Sequence, residues 1–150
     1  MEIRKAKLAD VHRIHELINH FAQKGNVLPR SLNYIYENLR DYWVAEEEGQ
    51  ILGCVALHIT WEDLAEIKSL VVVESHQKRG IGRLLLERAM REAEELGVKR
   101  LFVLTYIPEY FLKFGFKPIR KADLPHKIWA ECINCPKFPD CGEEALVKEL

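Results

Sequence analysis

Between Leu64 and Leu96 the chain passes from a strand pattern to a helix pattern through a six-residue turn, and the rest of the chain is organised around that passage. The run Ile67 to Val73 is dense in β-branched residues and reads as a buried strand. From Arg83 the apolar positions recur at helical spacing as far as Leu96, and Gly97 supplies a stop. The turn between them is Gln77-Lys78-Arg79-Gly80-Ile81-Gly82. A glycine-containing turn into a helix leaves backbone N–H groups without helical partners, at the end where the macrodipole favours negative charge. Such a turn is an anion site, and phosphate is the usual anion. The loop lacks the Lys-Ser/Thr pair of a P-loop and the third glycine of a dinucleotide fingerprint.

The remaining elements follow from periodicity and punctuation. Glu2 to Lys7 reads as a short strand. Asp10 is placed to cap a helix whose stripe is Val11, Ile14, Leu17, Ile18, Phe21 and Ala22, ended by Gly25. His12 and His15 on that helix are three apart, which allows a metal reading, but solvated histidines are the commoner outcome. Ser31 caps a second helix from about Leu32 to Leu39. Tyr42 to Glu46 and Ile51 to Thr60 form a hairpin about Glu48-Gly49, with Cys54 a small buried residue. Trp61-Glu62-Asp63 turns the chain into the strand before the glycine loop. Arg100 to Thr105 is a further strand, Pro108 opens a short helix through Lys113, and Gly115 ends it. Strands from Phe116 and from Ala145 to Leu150 close the chain. This order describes an α/β architecture of about six to seven strands. A hairpin meander ahead of the central helix excludes an all-parallel doubly wound sheet and predicts a mixed sheet with helices on both faces.

The expected organisation is one domain over residues 1–150, with a cysteine-rich segment at about 126–141. With 22 Lys+Arg against 23 Asp+Glu, bulk charge points to neither nucleic acid nor a membrane surface as partner. No apolar run reaches the ~20 residues of a membrane span, and the charged start is no signal peptide, so a cytoplasmic location is expected.

Gln77, Gly80 and Gly82 match the Gln/Arg-x-x-Gly-x-Gly/Ala motif of the GNAT N-acetyltransferases, which this chain resembles. Leu70-Val71-Val72 before the loop and Tyr110 to Phe116 after it match that family's flanking signatures, and the element order agrees over nearly the whole chain. The resemblance implies that the strands at 64–73 and 100–105 splay apart to admit the pantetheine arm of acetyl-CoA. Leu70, Val71 and Val72 would bond that arm through their backbone, and Gln77, Lys78, Arg79, Gly80, Ile81, Gly82 and Arg83 would hold the pyrophosphate.

Acetyl transfer to an amine needs a neutral amine, a polarised thioester carbonyl and a proton for the departing thiolate. Glu66 stands where many members carry a Glu acting through water as base. Where many members place an acidic Tyr this chain has Phe111, so the proton for the thiolate falls to Tyr110, to Tyr106 or to solvent. The segments about Leu28 to Ser31, Ala65 to Leu70 and His126 to Cys141 resemble the short stand-alone N-acetylglutamate synthases, which implies L-glutamate as acceptor and a place in arginine biosynthesis. A dicarboxylic amino acid calls for two cationic anchors, and Arg30 and Lys68 are the candidates. Other small amines, a protein N-terminus, or a non-catalytic acyl-CoA sensor are the alternatives. His126, Cys132, Cys135 and Cys141 could supply a structural zinc site, a disulfide or free thiols. An exposed sheet edge allows a homodimer.

Overall fold

Two hairpins in tandem build the first half of the sheet. In the computed structural model, which describes residues 1–124 and 143–150, β1 (Glu2–Lys5) pairs with β2 (Tyr42–Glu47), β2 with β3 (Gln50–Trp61), and β3 with β4 (Leu64–Val72), all antiparallel. Glu48 and Gly49 both take positive φ, 51° and 79°, which is the backbone a two-residue turn needs to match the strand twist. The rest of the sheet is β5 (Arg100–Thr105), β6 (Lys117–Ile119) and β7 (Glu144–Glu149). Among the described residues the seven-stranded order is β1-β2-β3-β4-β5-β7-β6, and only β4 and β5 pair in parallel. A mixed α/β sheet is what the hairpin meander predicted.

Among the described residues four α-helices connect these strands: α1 (Val11–Gln23), α2 (Leu32–Glu37), α3 (Ile81–Glu95) and α4 (Pro108–Leu112). The apolar stripe of α3, including Leu85, Leu86, Ala89 and Ala93, packs on one face against Trp43, Ala45, Val55, Leu57, Ala65 and Ile67. Val11, Ile14, Ile18 and Phe21 of α1, with Ile35 of α2, cover the other face over Tyr42, Val44, Cys54, Ala56 and Val71. Strand side chains alternate between the faces, so β2, β3 and β4 each contribute to both cores.

Asp10 has a different job from the one its position suggested. Its backbone is helical (φ −87°, ψ −11°) and its side chain makes no bond into α1. The carboxylate instead accepts from Arg4 through both guanidinium nitrogens, at 2.8 and 3.1 Å, and from the Lys7 N–H at 2.7 Å. A buried-side guanidinium at the sheet edge outcompetes the helix end as its partner. Ser31, by contrast, caps α2 as expected, accepting from the Tyr34 N–H at 3.0 Å.

One irregularity decides which residues reach the site. Along β3 and β4 the register runs His58 opposite Glu66 and Ala56 opposite Lys68, then slips so that Cys54 opposes Val71. Ser69 lies within the slip with φ 56°, a β-bulge in the middle of β4. The extra residue resets the alternation. Ile67, Leu70 and Val72 therefore face α3, while Glu66, Lys68 and Val71 lie on the α1–α2 side.

Candidate active site

The glycine loop and the start of α3 form an open cluster of backbone donors. After a single 3-10 turn at Glu74–His76, Gln77 to Gly80 are exposed, and Ile81 (2% exposed) anchors the helix in the core. Lys78 and Gly80 take φ of 71° and 82°, bending the backbone back on itself. The first bond of α3 is from the Leu84 N–H to the Gly80 carbonyl, so the N–H groups of Ile81, Gly82 and Arg83 lie ahead of it. Gly80, at the cap position, has no side chain to satisfy them. Gln77 turns inward and donates from Nε2 to the Val72 carbonyl at 3.0 Å, tying the loop to the end of β4. Arg79 reaches Glu47 at 3.5 Å, and Arg83 pairs with Glu87 one turn along α3. This arrangement suits a pyrophosphate.

Beside that loop the sheet opens. The parallel register of β4 with β5 begins at Leu64 opposite Arg100 and ends at Ile67 opposite Val103. Lys68 to Val72 thus run past the end of the pairing, presenting backbone groups where an extended chain can bond.

Two aromatic positions of α4 divide their roles. Phe111 is buried, edge-on to Phe116 with centroids 5.7 Å apart, and belongs to the α3-side core. Tyr110 lies against α3: a Cβ on Gly82 would stand 3.0 Å from its hydroxyl, so the glycine leaves room for the tip of that side chain. Burial, reinforced by Glu87, raises the Tyr110 phenol above its ordinary value and keeps it protonated. The hydroxyl candidate from sequence therefore sits by the loop and the first turn of α3, whereas Glu66 is on the other side of the sheet.

Glu66 and Lys68 are both buried, at 7% and 8% exposure, and Lys68 Nζ is 3.9 Å from Glu66 Oε1. Arg30 joins them from the loop before α2. Asn19 of α1 holds the Arg30 backbone by two bonds, from Asn19 Nδ2 to the Arg30 carbonyl at 2.9 Å and from the Arg30 N–H to Asn19 Oδ1 at 3.2 Å. The Arg30 guanidinium then lies 4.6 Å from the centroid of the Tyr34 ring, and Lys68 Nζ lies 5.2 Å from the same centroid. The structure thus brings Arg30 and Lys68 over one aromatic ring, with Glu66 beside Lys68. Below them Tyr42 is fully buried, and desolvation holds its phenol well above the usual range. Cys54 shares that environment: burial pushes its thiol up to about 12, so it stays a neutral donor, to the Ser69 carbonyl at 3.5 Å.

The sequence did not single out Asn19, Tyr34, Tyr42 or the His58–Asp41 pair, which is joined at 2.7 Å beside Glu66. For Tyr34 a signal existed, since it follows Arg30 by four residues across a helix cap. His126, Cys132, Cys135 and Cys141 lie outside the described residues. Among the described residues no group of three or more His, Cys, Asp or Glu side chains is placed to hold a metal, which includes the neighbourhood of His12 and His15. No described helix is long and apolar enough to cross a membrane.

Residues 10–116 match the model of the acetyltransferase (GNAT) family. An uncharacterised N-acetyltransferase of Chlorobaculum tepidum is 44% identical over 99% of this chain and 96% of its own length. An amino-acid acetyltransferase of Mycobacterium tuberculosis is 34% identical over 86% of this chain and 75% of its own. Among solved structures, the N-acetylglutamate synthase of Neisseria gonorrhoeae complexed with coenzyme A and N-acetyl-glutamate superposes with a TM-score of 0.87 at 28% identity. That match covers 99% of this chain and 35% of the longer Neisseria chain.

Proposed function

This chain belongs to the GNAT acetyltransferase family and is an acetyl-CoA-dependent N-acetyltransferase, and from that premise we propose that its acceptor is the α-amine of a free amino acid, L-glutamate foremost. The observation that carries this reading is the convergence of Arg30 and Lys68 on the Tyr34 ring, with the buried Glu66 carboxylate 3.9 Å from Lys68. Two cations beside a buried base suit a substrate that carries carboxylate and amine together. The amino-acid acetyltransferase and N-acetylglutamate synthase among its relatives support the same class of acceptor. The role in arginine biosynthesis belongs to this proposal.

The chemistry divides between the two sides of the sheet. Acetyl-CoA enters with its pyrophosphate on the N–H groups of Ile81, Gly82 and Arg83, within the cradle of Gln77, Lys78, Arg79 and Gly80. Its pantetheine arm follows the backbone of Leu70, Val71 and Val72 through the opening between β4 and β5. The thioester carbonyl meets a backbone N–H at Leu70, just past the bulge, which stabilises charge developing on oxygen. Glu66 takes a proton from the substrate ammonium through water, freeing the amine to attack the carbonyl carbon. The new C–N bond forms, the C–S bond breaks, and coenzyme A leaves as a thiolate. A thiol pKa of ~8.5 makes that leaving group tolerable, and a proton reaches it from Tyr110 or from solvent.

The acceptor assignment is tested by Arg30→Ala. The KM for glutamate should rise roughly ten- to a hundred-fold, the loss expected for a charged hydrogen-bond partner, with the KM for acetyl-CoA within about two-fold. Equal effects on both substrates would remove Arg30 from the acceptor site.

A further inference from the structure

His58 sits directly opposite Glu66 in the antiparallel pairing of β3 with β4, where the register runs unbroken from Ala56 opposite Lys68 to Ile59 opposite Ala65. Directly opposed residues point to the same face, with Cβ atoms about 4.5–5.5 Å apart. The adjacent pair, Leu57 and Ile67, is buried on the α3 side, so His58 and Glu66 share the α1–α2 side. Their exposure differs. Glu66 is 7% exposed, whereas the His58 side chain keeps 34% of its surface open to solvent. His58 lies two residues past the last pairing with β2, Tyr42 opposite Ala56. There the 3-10 turn Leu39–Asp41 brings a carboxylate to it, with Asp41 Oδ2 at 2.7 Å from His58 Nδ1.

A carboxylate only accepts hydrogen bonds, so the ring nitrogen that meets Asp41 is the one that carries hydrogen. That leaves the lone pair of the neutral imidazole on Nε2, and the same carboxylate stabilises the imidazolium once Nε2 is protonated. Asp41 and His58 are thus a base with its orienting partner, beside the carboxylate proposed to deprotonate the acceptor. The reaction gives such a pair work to do. An ammonium that becomes an amide gives up two protons; one ends on the coenzyme A thiol and the other must leave the protein at every turnover. A base as buried as Glu66 has to hand that proton on before it can act again. Its neighbour Lys68, 3.9 Å away, has no lone pair to take it as an ammonium.

We propose that His58 is the proton outlet of the active site: it takes the proton that Glu66 has abstracted and releases it to solvent, while Asp41 holds the imidazole in the receiving tautomer. The inference rests on the reading of Glu66 as the base. Protonated Glu66 gives its proton to His58 Nε2, directly or through one water, and returns to carboxylate. The imidazolium is held by Asp41, and loss of the proton to solvent restores the neutral ring. No bond to carbon or sulfur changes in this step. His58 acts only through Glu66, so it governs the rate of turnover and the binding of neither substrate.

The test is His58→Gln, whose amide keeps a hydrogen-bond donor for Asp41 but cannot take up a proton. It is assayed with acetyl-CoA and the amine that the unaltered protein turns over fastest, with and without added imidazole. The kcat should fall roughly ten- to a hundred-fold, no more than the low end of what a general base contributes, with both KM values within about two-fold. Imidazole in solution should restore the rate of His58→Gln in proportion to its concentration and leave the unaltered protein unchanged. A histidine that only supports the fold gives no such rescue. Asp41→Asn should show a smaller loss of kcat at the same KM values, and it carries the test if thermal melting shows that His58→Gln does not fold. An unchanged kcat in the variant that folds, or a loss in His58→Gln that imidazole does not restore, overturns the outlet while Glu66 stands as base. If Glu66→Gln itself leaves kcat unchanged, the reading of Glu66 falls and this inference falls with it.

Discussion

Lys68 Nζ stands 3.9 Å from Glu66 Oε1, and the two side chains are among the few buried charged groups of the described chain. They are two residues apart on one strand, so the pleat turns both to the same face. Each lowers the cost of burying the other. The bulge at Ser69 then returns Leu70 to the opposite face, past the end of the β4–β5 pairing. In the proposed reaction one strand thereby serves both substrates.

Glu66→Gln separates the base from the fold. Glutamine keeps the shape and loses the capacity to accept a proton, so kcat should fall by roughly 10²- to 10⁴-fold, the usual contribution of a general base. Acetyl-CoA affinity should change little. The variant can use only amine that has already lost its proton in solution, so its deficit should be largest at low pH and shrink as pH rises. Steady-state rates across the pH range check this, and a deficit independent of pH would remove Glu66 as base.

Asp10 gives the fold a defined acid sensitivity. Its hydrogen bonds from Arg4, then that from the Lys7 N–H, hold the carboxyl below the ordinary carboxylate value. A carboxyl depressed in the folded state contributes stability above its unfolded value of ~3.9, and that contribution is lost as pH falls through the folded value. Asp10→Asn should therefore cost about 1–3 kcal/mol at neutral pH, or several degrees in Tm. The difference from the unaltered protein should close only as pH falls through that depressed folded value, below the ordinary carboxylate range. A gap that persists in acid would mean that shape rather than charge holds this corner.

Gly80 isolates backbone conformation from packing. Nothing lies within 4 Å of where its Cβ would stand, but its φ is 82°. Gly80→Ala therefore pays only for the left-handed backbone, about 1–2 kcal/mol, or relieves it by reshaping the loop. Calorimetry should show a Tm lower by roughly 2–8 °C, and the acetyl-CoA KM should rise while the amino-acid KM holds. An amino-acid KM that rises in step would place the loop nearer the acceptor than the geometry does.

Periodicity and punctuation made most of the architecture legible. The α1 stripe, the Glu48-Gly49 turn, the β5 span and the helix after Gly82 are local patterns, and local patterns are what a sequence displays. Asp10 was misread because its partner, Arg4, lies on a strand, and the competition between a helix end and a guanidinium is decided in three dimensions. The insertion of β7 between β5 and β6 has no local marker either. The candidate residues Glu66, Lys68, Arg30 and the loop came from motif and resemblance. The spacing of Tyr34 from Arg30 was there to read, but Lys68 reaches the same ring from a different element, which no local pattern displays. The Ser69 bulge was hidden for a similar reason: serine carries no preference for positive φ, and the register of two neighbouring strands imposes it.

The identity of the acceptor is tested most directly by acetyl-CoA consumption against a panel of amines: L-glutamate, other free amino acids, a polyamine and a peptide with a free N-terminus. The account predicts turnover with free amino acids, the highest kcat/KM with L-glutamate, and an N-acetylated α-amine in the product by mass spectrometry. Faster turnover of the polyamine or the peptide than of any free amino acid would contradict it.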